Sequence, residues 1–143
     1  MGLVSLASGD YERAHDCFEI LRRDSQWSKA MYTYSKAVTF IERGIEPEEC
    51  TRLMHTVPDL LQRIAGKSIP IEKFVARRAK KYAEQGNRLL CPGIELAFVL
   101  NGLNLASRLS LCDKHLTELQ ACIDKLEPMR ENPAAYGKGF WDG

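Results

Sequence analysis

The 143-residue sequence predicts an all-α chain built of stacked α-α hairpins. Three observations carry that prediction. Apolar residues recur at helical spacing over most of the length. Strand signals are scarce, with no sustained apolar/polar alternation and no Asn-Gly hairpin turn. The helix breakers fall at regular places: Ser8-Gly9-Asp10, Gly44, Val57-Pro58, Gly66-Lys67-Ser68, Gly86-Asn87, Cys91-Pro92-Gly93 and from Asn132 onward.

The first complete helix is expected from Tyr11 to Arg23, with Asp10 accepting from the free amides of its first turn. Tyr11, Ala14, Phe18 and Leu21 share one face. The second is expected from Ser25 or Trp27 to Arg43. Trp27, Met31, Tyr34, Val38 and Ile41 form its stripe, with Ala30 and Ala37 beside it. A helix apolar over so much of its circumference belongs inside, touched on more than one side. The third is expected from Pro47 to Ala65. Pro47 suits a first helical position and Glu48 and Glu49 suit the positive helix end, while Pro58 must kink or divide it. The fourth is expected from Pro70 to Gln85, with Ile71, Phe74, Val75, Ala79 and Tyr82 facing the core. The fifth is expected from Pro92 to Arg108 and the sixth from Asp113 to Arg130. The seam of the sixth (Leu116, Leu119, Ile123 and Leu126, continuing back to Cys112) fits packing along one neighbouring helix. Residues 1–131 then form one helical domain, and 132–143 form a flexible C-terminal tail unless Phe140 and Trp141 dock.

Composition narrows the function classes. A net charge of +1, with no basic run interleaved with aromatics, gives no reason to expect a nucleic-acid partner. Five cysteines, an odd number without a CxxC pair, argue against a disulfide framework and for packed thiols in a reducing, cytoplasmic setting. Cys112-x-x-His115 followed by Cys122 falls short of the four paired ligands of structural zinc. The N-terminus lacks the basic start of a signal peptide. The apolar stretch Leu89 to Leu105 is broken by Pro92, Gly93, Glu95, Asn101, Gly102 and Asn104, so a buried helix is expected there rather than a membrane span. His15, His55 and His115 are far apart, and no nucleophile-elbow motif surrounds a serine. Gly66-Lys67-Ser68 ends like a phosphate-binding loop, but Leu61 stands where its first glycine would be. No catalytic residue, cofactor, metal or small-molecule substrate is expected.

Gly9 and Gly44 lie 35 residues apart, close to the tetratricopeptide period of about 34. Each is expected to end a helix at positive φ. Ala14-x-x-x-Phe18 resembles the second-helix pair of that repeat, and Gly2 stands at the small position of its first helix. Ser5 replaces the expected aromatic and Gln26 the expected proline. In the second unit Ala37 and Phe40 match, whereas Glu49 and Leu53 replace the Ala/Phe pair.

Three longer blocks carry a more specific resemblance. They are Gly2-Leu3-Val4-Ser5-Leu6-Ala7-Ser8-Gly9-Asp10-Tyr11, Trp27-Ser28-Lys29-Ala30-Met31-Tyr32-Thr33-Tyr34 and Gly66-Lys67-Ser68-Ile69-Pro70-Ile71-Glu72-Lys73-Phe74-Val75. Together they resemble the tetratricopeptide repeat protein 39 family. The resemblance implies a cytosolic, adaptor-like helical-repeat superhelix without catalytic residues, in a family tied to lipid homeostasis or clearance of aggregated protein. The family's chains are several times longer, so a fragment or shortened member is expected, with Leu3, Val4 and Leu6 as an exposed apolar edge.

Two surfaces are candidates for partners. A concave face lined by the first helices of the hairpins would take a peptide or helix, with Thr33, Lys36 and Phe40 as candidate groove residues. The fourth helix and its flanks, Lys67 to Arg88, carry seven basic against two acidic residues, a local charge of +5. Lys73, Arg77, Lys80 and Lys81 on its face would suit an acidic protein or, alternatively, an anionic membrane surface.

Overall fold

The computed structural model describes residues 1–101 and 109–128, with the side chains of 109–112 excepted. Among the described residues seven α-helices follow one another: α1 (Gly2–Ala7), α2 (Tyr11–Asp24), α3 (Lys29–Arg43), α4 (Pro47–Thr56), α5 (Pro70–Glu84), α6 (Pro92–Val99) and α7 (Leu109–Leu126). A 3-10 turn, Val57–Leu60, and two antiparallel two-residue strands, β1 (Arg63–Ile64) and β2 (Lys67–Ser68), lie between α4 and α5.

Helix ends follow local chemistry. The Asp10 carboxylate accepts from the Arg13 N–H at 3.2 Å and caps α2. Pro47, Pro70 and Pro92 open α4, α5 and α6, where a missing N–H costs nothing. Gly44 takes φ +66° at the end of α3. Its N–H reaches the Ile41 carbonyl, and the next N–H, that of Ile45, reaches the Phe40 carbonyl. Gly9 turns α1 into α2 in the same way at φ +75°.

Tetratricopeptide-like packing is present in the first hairpin. A Cβ added at Gly2 would lie 3.0 Å from the Cys17 Cβ and 3.2 Å from the Phe18 ring, so α1 approaches α2 as closely as the small residue allows. Ala14 and Phe18 are buried in this contact. Helix α3 is central, packed by α2, α4, α5 and α6. Its stripe Tyr34, Val38 and Ile41 and the opposite stripe Thr33, Lys36 and Phe40 are both covered or nearly so.

Several expectations are corrected. The third helix stops at Thr56, not Ala65. Pro58 cannot donate in a continuing ladder, so the chain tightens to 3-10 and then reverses through Ala65 and Gly66, both at positive φ, between β1 and β2. The second helix starts at Lys29, leaving Trp27 exposed in the preceding turn. Leu6 is buried, because α6 packs against α1; Val4 stays exposed. The sixth predicted helix is α7 and runs Leu109–Leu126. Among the described residues its seam is left largely uncovered: Leu116, Leu119 and Ile123 are 64%, 38% and 50% exposed. Cys91 and Cys122 are bonded to each other, whereas Cys17 and Cys50 are free thiols. The C-terminal part of the fifth predicted helix, the Cys112 side chain, and the tail with Phe140 and Trp141 lie outside the described residues.

Candidate interaction surface

Helix α6 decides which surface is open. It lies against α1 and α3, on the face of α3 that carries Tyr34 and Ile41. Among the described residues two polar ties hold it. The Gly93 N–H donates to the Glu42 carboxylate at 2.7 Å, and Glu95 Oε2 lies 2.9 Å from Arg78 Nε of α5. Burial pushes the Tyr34 hydroxyl up from its ordinary range, and the Glu95 charge adds to it. The inner face of the first helices is thus filled by the chain's own α6.

Thr33, Lys36 and Phe40 sit on the opposite face of α3 and are buried. Lys36 is only 9% exposed. Its ammonium lies 2.9 Å from Glu19 of α2 and 5.7 Å from the Phe40 ring centroid. Phe40 in turn packs on His15 at 5.1 Å. Glu19 also receives two hydrogen bonds from Arg22, at 2.8 and 2.9 Å. These bonds, reinforced by Lys36, lower the Glu19 carboxyl to about 2. A partner reaching these three residues would have to part α2 from α3.

The basic face of α5 is arranged differently. Lys73, Arg77 and Lys80 fall on one exposed stripe, and Lys81 stands partly exposed beside it. Lys80 pairs loosely with Glu84 at 3.6 Å. Lys73 and Arg77 have no ion pair among the described residues. Alongside the stripe runs a groove of about 380 Å³ between α4 and α5. Met54, His55 and Pro58 line it from α4 and the turn that follows, and Ala76, Arg77, Ala79, Lys80 and Ala83 from α5.

Glu72, the acidic residue of the Gly66–Val75 block, is buried and structural. Its carboxylate accepts from the Gln62 N–H at 2.7 Å and from the Ser28 hydroxyl at 3.3 Å. The Ser28 N–H donates to the Gln62 side chain at 3.0 Å, and Gln62 donates to the Gln26 carbonyl at 3.1 Å. One carboxylate therefore joins the α2–α3 turn, the turn after α4 and the start of α5. Periodicity could not assign this role, because both partners, Gln62 and Ser28, lie on other elements, ten and 44 residues away.

The remaining chemistry-bearing groups are dispersed. His15 packs on Phe40, His55 is exposed at the groove, and His115 is buried with Nε2 2.5 Å from the Ala7 carbonyl oxygen. Among the described residues no His/Cys/Asp/Glu group could hold a metal ion, and no helix is long and apolar enough to cross a membrane.

The family model for Iml2/Tetratricopeptide repeat protein 39 matches residues 1–136. "Tetratricopeptide repeat protein ttc-39B" of Caenorhabditis elegans is 34% identical over 104 residues, covering 69% of this chain and 18% of the relative. "Inclusion body clearance protein IML2" of Saccharomyces cerevisiae is 28% identical over 151 residues, covering 85% of this chain and 21% of the relative. The chain thus spans about a fifth of the length of these relatives. No solved structure matches. On its sequence blocks, its close-packed first hairpin and its match over nearly the whole chain, this protein belongs to the Iml2/Tetratricopeptide repeat protein 39 family.

Proposed function

We propose that this chain is a non-catalytic adaptor of the cytoplasm that binds an acidic protein partner through the outward face of α5, with Lys73, Arg77, Lys80 and Lys81 as the contact residues. One observation supports this most: α6 occupies the inner face, whereas Lys73 and Arg77 stand exposed with no ion pair among the described residues. Exposed cations of this kind give up no existing pair on binding and steer an acidic partner into register. The yeast relative is named for inclusion-body clearance. By extension the adaptor serves clearance of aggregated protein, or the lipid homeostasis that the family resemblance implies.

The test is affinity capture from cytosol with the chain and with a variant carrying Lys73→Glu, Arg77→Glu, Lys80→Glu and Lys81→Glu, its fold checked by circular dichroism. The dominant partner should be lost from the reversed variant while helicity is kept. Retention of that partner by both proteins would move the binding surface elsewhere.

A further inference from the structure

The groove beside the basic stripe has a form that charge alone does not require. Its lining is apolar except for His55, Arg77 and Lys80. Met54 and Ala79 are buried at its base, whereas Lys80 and Arg77 rise exposed along one side. Resting on the reading of α5 as a partner surface, we propose that the α4–α5 groove receives one face of an amphipathic helix from a protein partner. That helix inserts a large apolar side chain over Ala76, Ala79 and Ala83 and sets a row of Asp or Glu against Lys73, Arg77 and Lys80.

Geometry and charge both select this occupant. Lys73 and Lys80 are two helical turns apart on one stripe, a span of about 10 Å at 1.5 Å per residue. Acidic residues at i, i+3 or i+4, and i+7 of a helix lying alongside cover the same span. The opening between α4 and α5 holds about 380 Å³, room for a leucine, methionine or phenylalanine side chain. The alanine floor lets a second helix come near enough to α5 for short carboxylate–guanidinium contacts. A bilayer fits the same surface poorly. Lipid contact needs large apolar side chains that protrude past the cations, and here Met54 and Ala79 are buried while Arg77 and Lys80 are exposed. His55 on the far wall adds a polar edge but no fixed charge of opposite sign.

The test separates the groove from the charge. Random 16-residue peptides displayed on phage are panned on the wild-type chain, then re-bound to two variants. Ala83→Trp fills the open end of the groove at an exposed position and leaves every charge in place. Arg77→Glu with Lys80→Glu leaves the groove in place and reverses its wall. The proposal expects enriched peptides to carry two or three acidic residues at helical spacing beside a Leu, Met or Phe. Their affinity should fall about tenfold or more in each variant and weaken between 50 and 300 mM salt. Enriched peptides without that pattern, or binding that survives Ala83→Trp, would overturn it. Survival in Ala83→Trp with loss in the charge-reversed variant would leave the basic-face adaptor standing and remove only the groove. Sedimentation with vesicles containing anionic lipid, abolished by Ala83→Trp where no peptide is enriched, would overturn the protein-helix occupant in favour of a membrane.

Discussion

Glu42 shows how a single residue can be held against its own preference. Its carboxylate accepts from the Gly93 N–H at the start of α6, where the helix end favours negative charge. Burial nevertheless outweighs that bond, and the Glu118 charge adds to it, so the Glu42 carboxyl is raised above its ordinary value. The sign follows from linkage. A carboxyl with a raised folded pKa subtracts stability at neutral pH, and that loss is lifted as pH falls through the folded pKa. Glu42→Gln keeps an acceptor for Gly93 and removes the buried charge. It should raise stability at pH 7 by about 1 kcal/mol or less, with the gain disappearing once acid protonates Glu42 in the native chain. Thermal melts at pH 7 and pH 4 check this; a destabilised variant at pH 7 would contradict it. Glu19 has the opposite sign. Its lowered carboxyl adds stability above its ordinary value near 4.5, which fades as pH falls toward about 2. The Glu42 role could not be seen in the sequence, because Gly93 and Glu118 reach it only through the packing of separate helices; for Glu19 the Arg22 pair is local, three residues on along α2, and only Lys36 arrives from another helix.

At the scale of the element, legibility tracks local chemistry. The starts of α2, α4, α5 and α6 were readable from Asp10 and from the prolines, and the ends of α1 and α3 from Gly9 and Gly44. The β1–β2 hairpin was not, since two-residue strands with exposed side chains carry no periodicity. Helix α6 is apolar all round, so its pattern named no face and could not reveal that it covers α1 and α3. Helix α7 misled in the other direction, because a regular seam states only that apolar residues are aligned. Among the described residues α7 is held by Cys122 bonded to Cys91 and by His115 at the Ala7 carbonyl, while Leu116 and Ile123 face outward. Closing a loop of 31 residues contributes roughly 3–4 kcal/mol on the chain-entropy estimate. Reduction should therefore open α7 first. Backbone amide exchange over residues 113–126 should accelerate about tenfold or more in dithiothreitol, with α2 to α5 unchanged and with Cys122→Ser giving the same result without reductant. Equal exchange in both states would show that packing, not the bond, holds this helix.

For the whole molecule, stacked hairpins and a central α3 follow from features present in the sequence: the 35-residue glycine spacing, the Gly2/Ala14/Phe18 contact and an α3 apolar on most sides. Which surface stays open does not, because it depends on where α6 folds back. With α6 on the inner face, the outer side of α4 and α5 is the surface proposed for a partner. Hydrogen-exchange mass spectrometry of the chain, alone and with a captured partner bound, is the test of that arrangement. New protection is expected over Pro70–Glu84 and residues 47–60, with Lys29–Arg43 and Pro92–Val99 unchanged. Protection gained along Lys29–Arg43 together with faster exchange in Pro92–Val99 would show a partner displacing α6 from the inner face, and would contradict it.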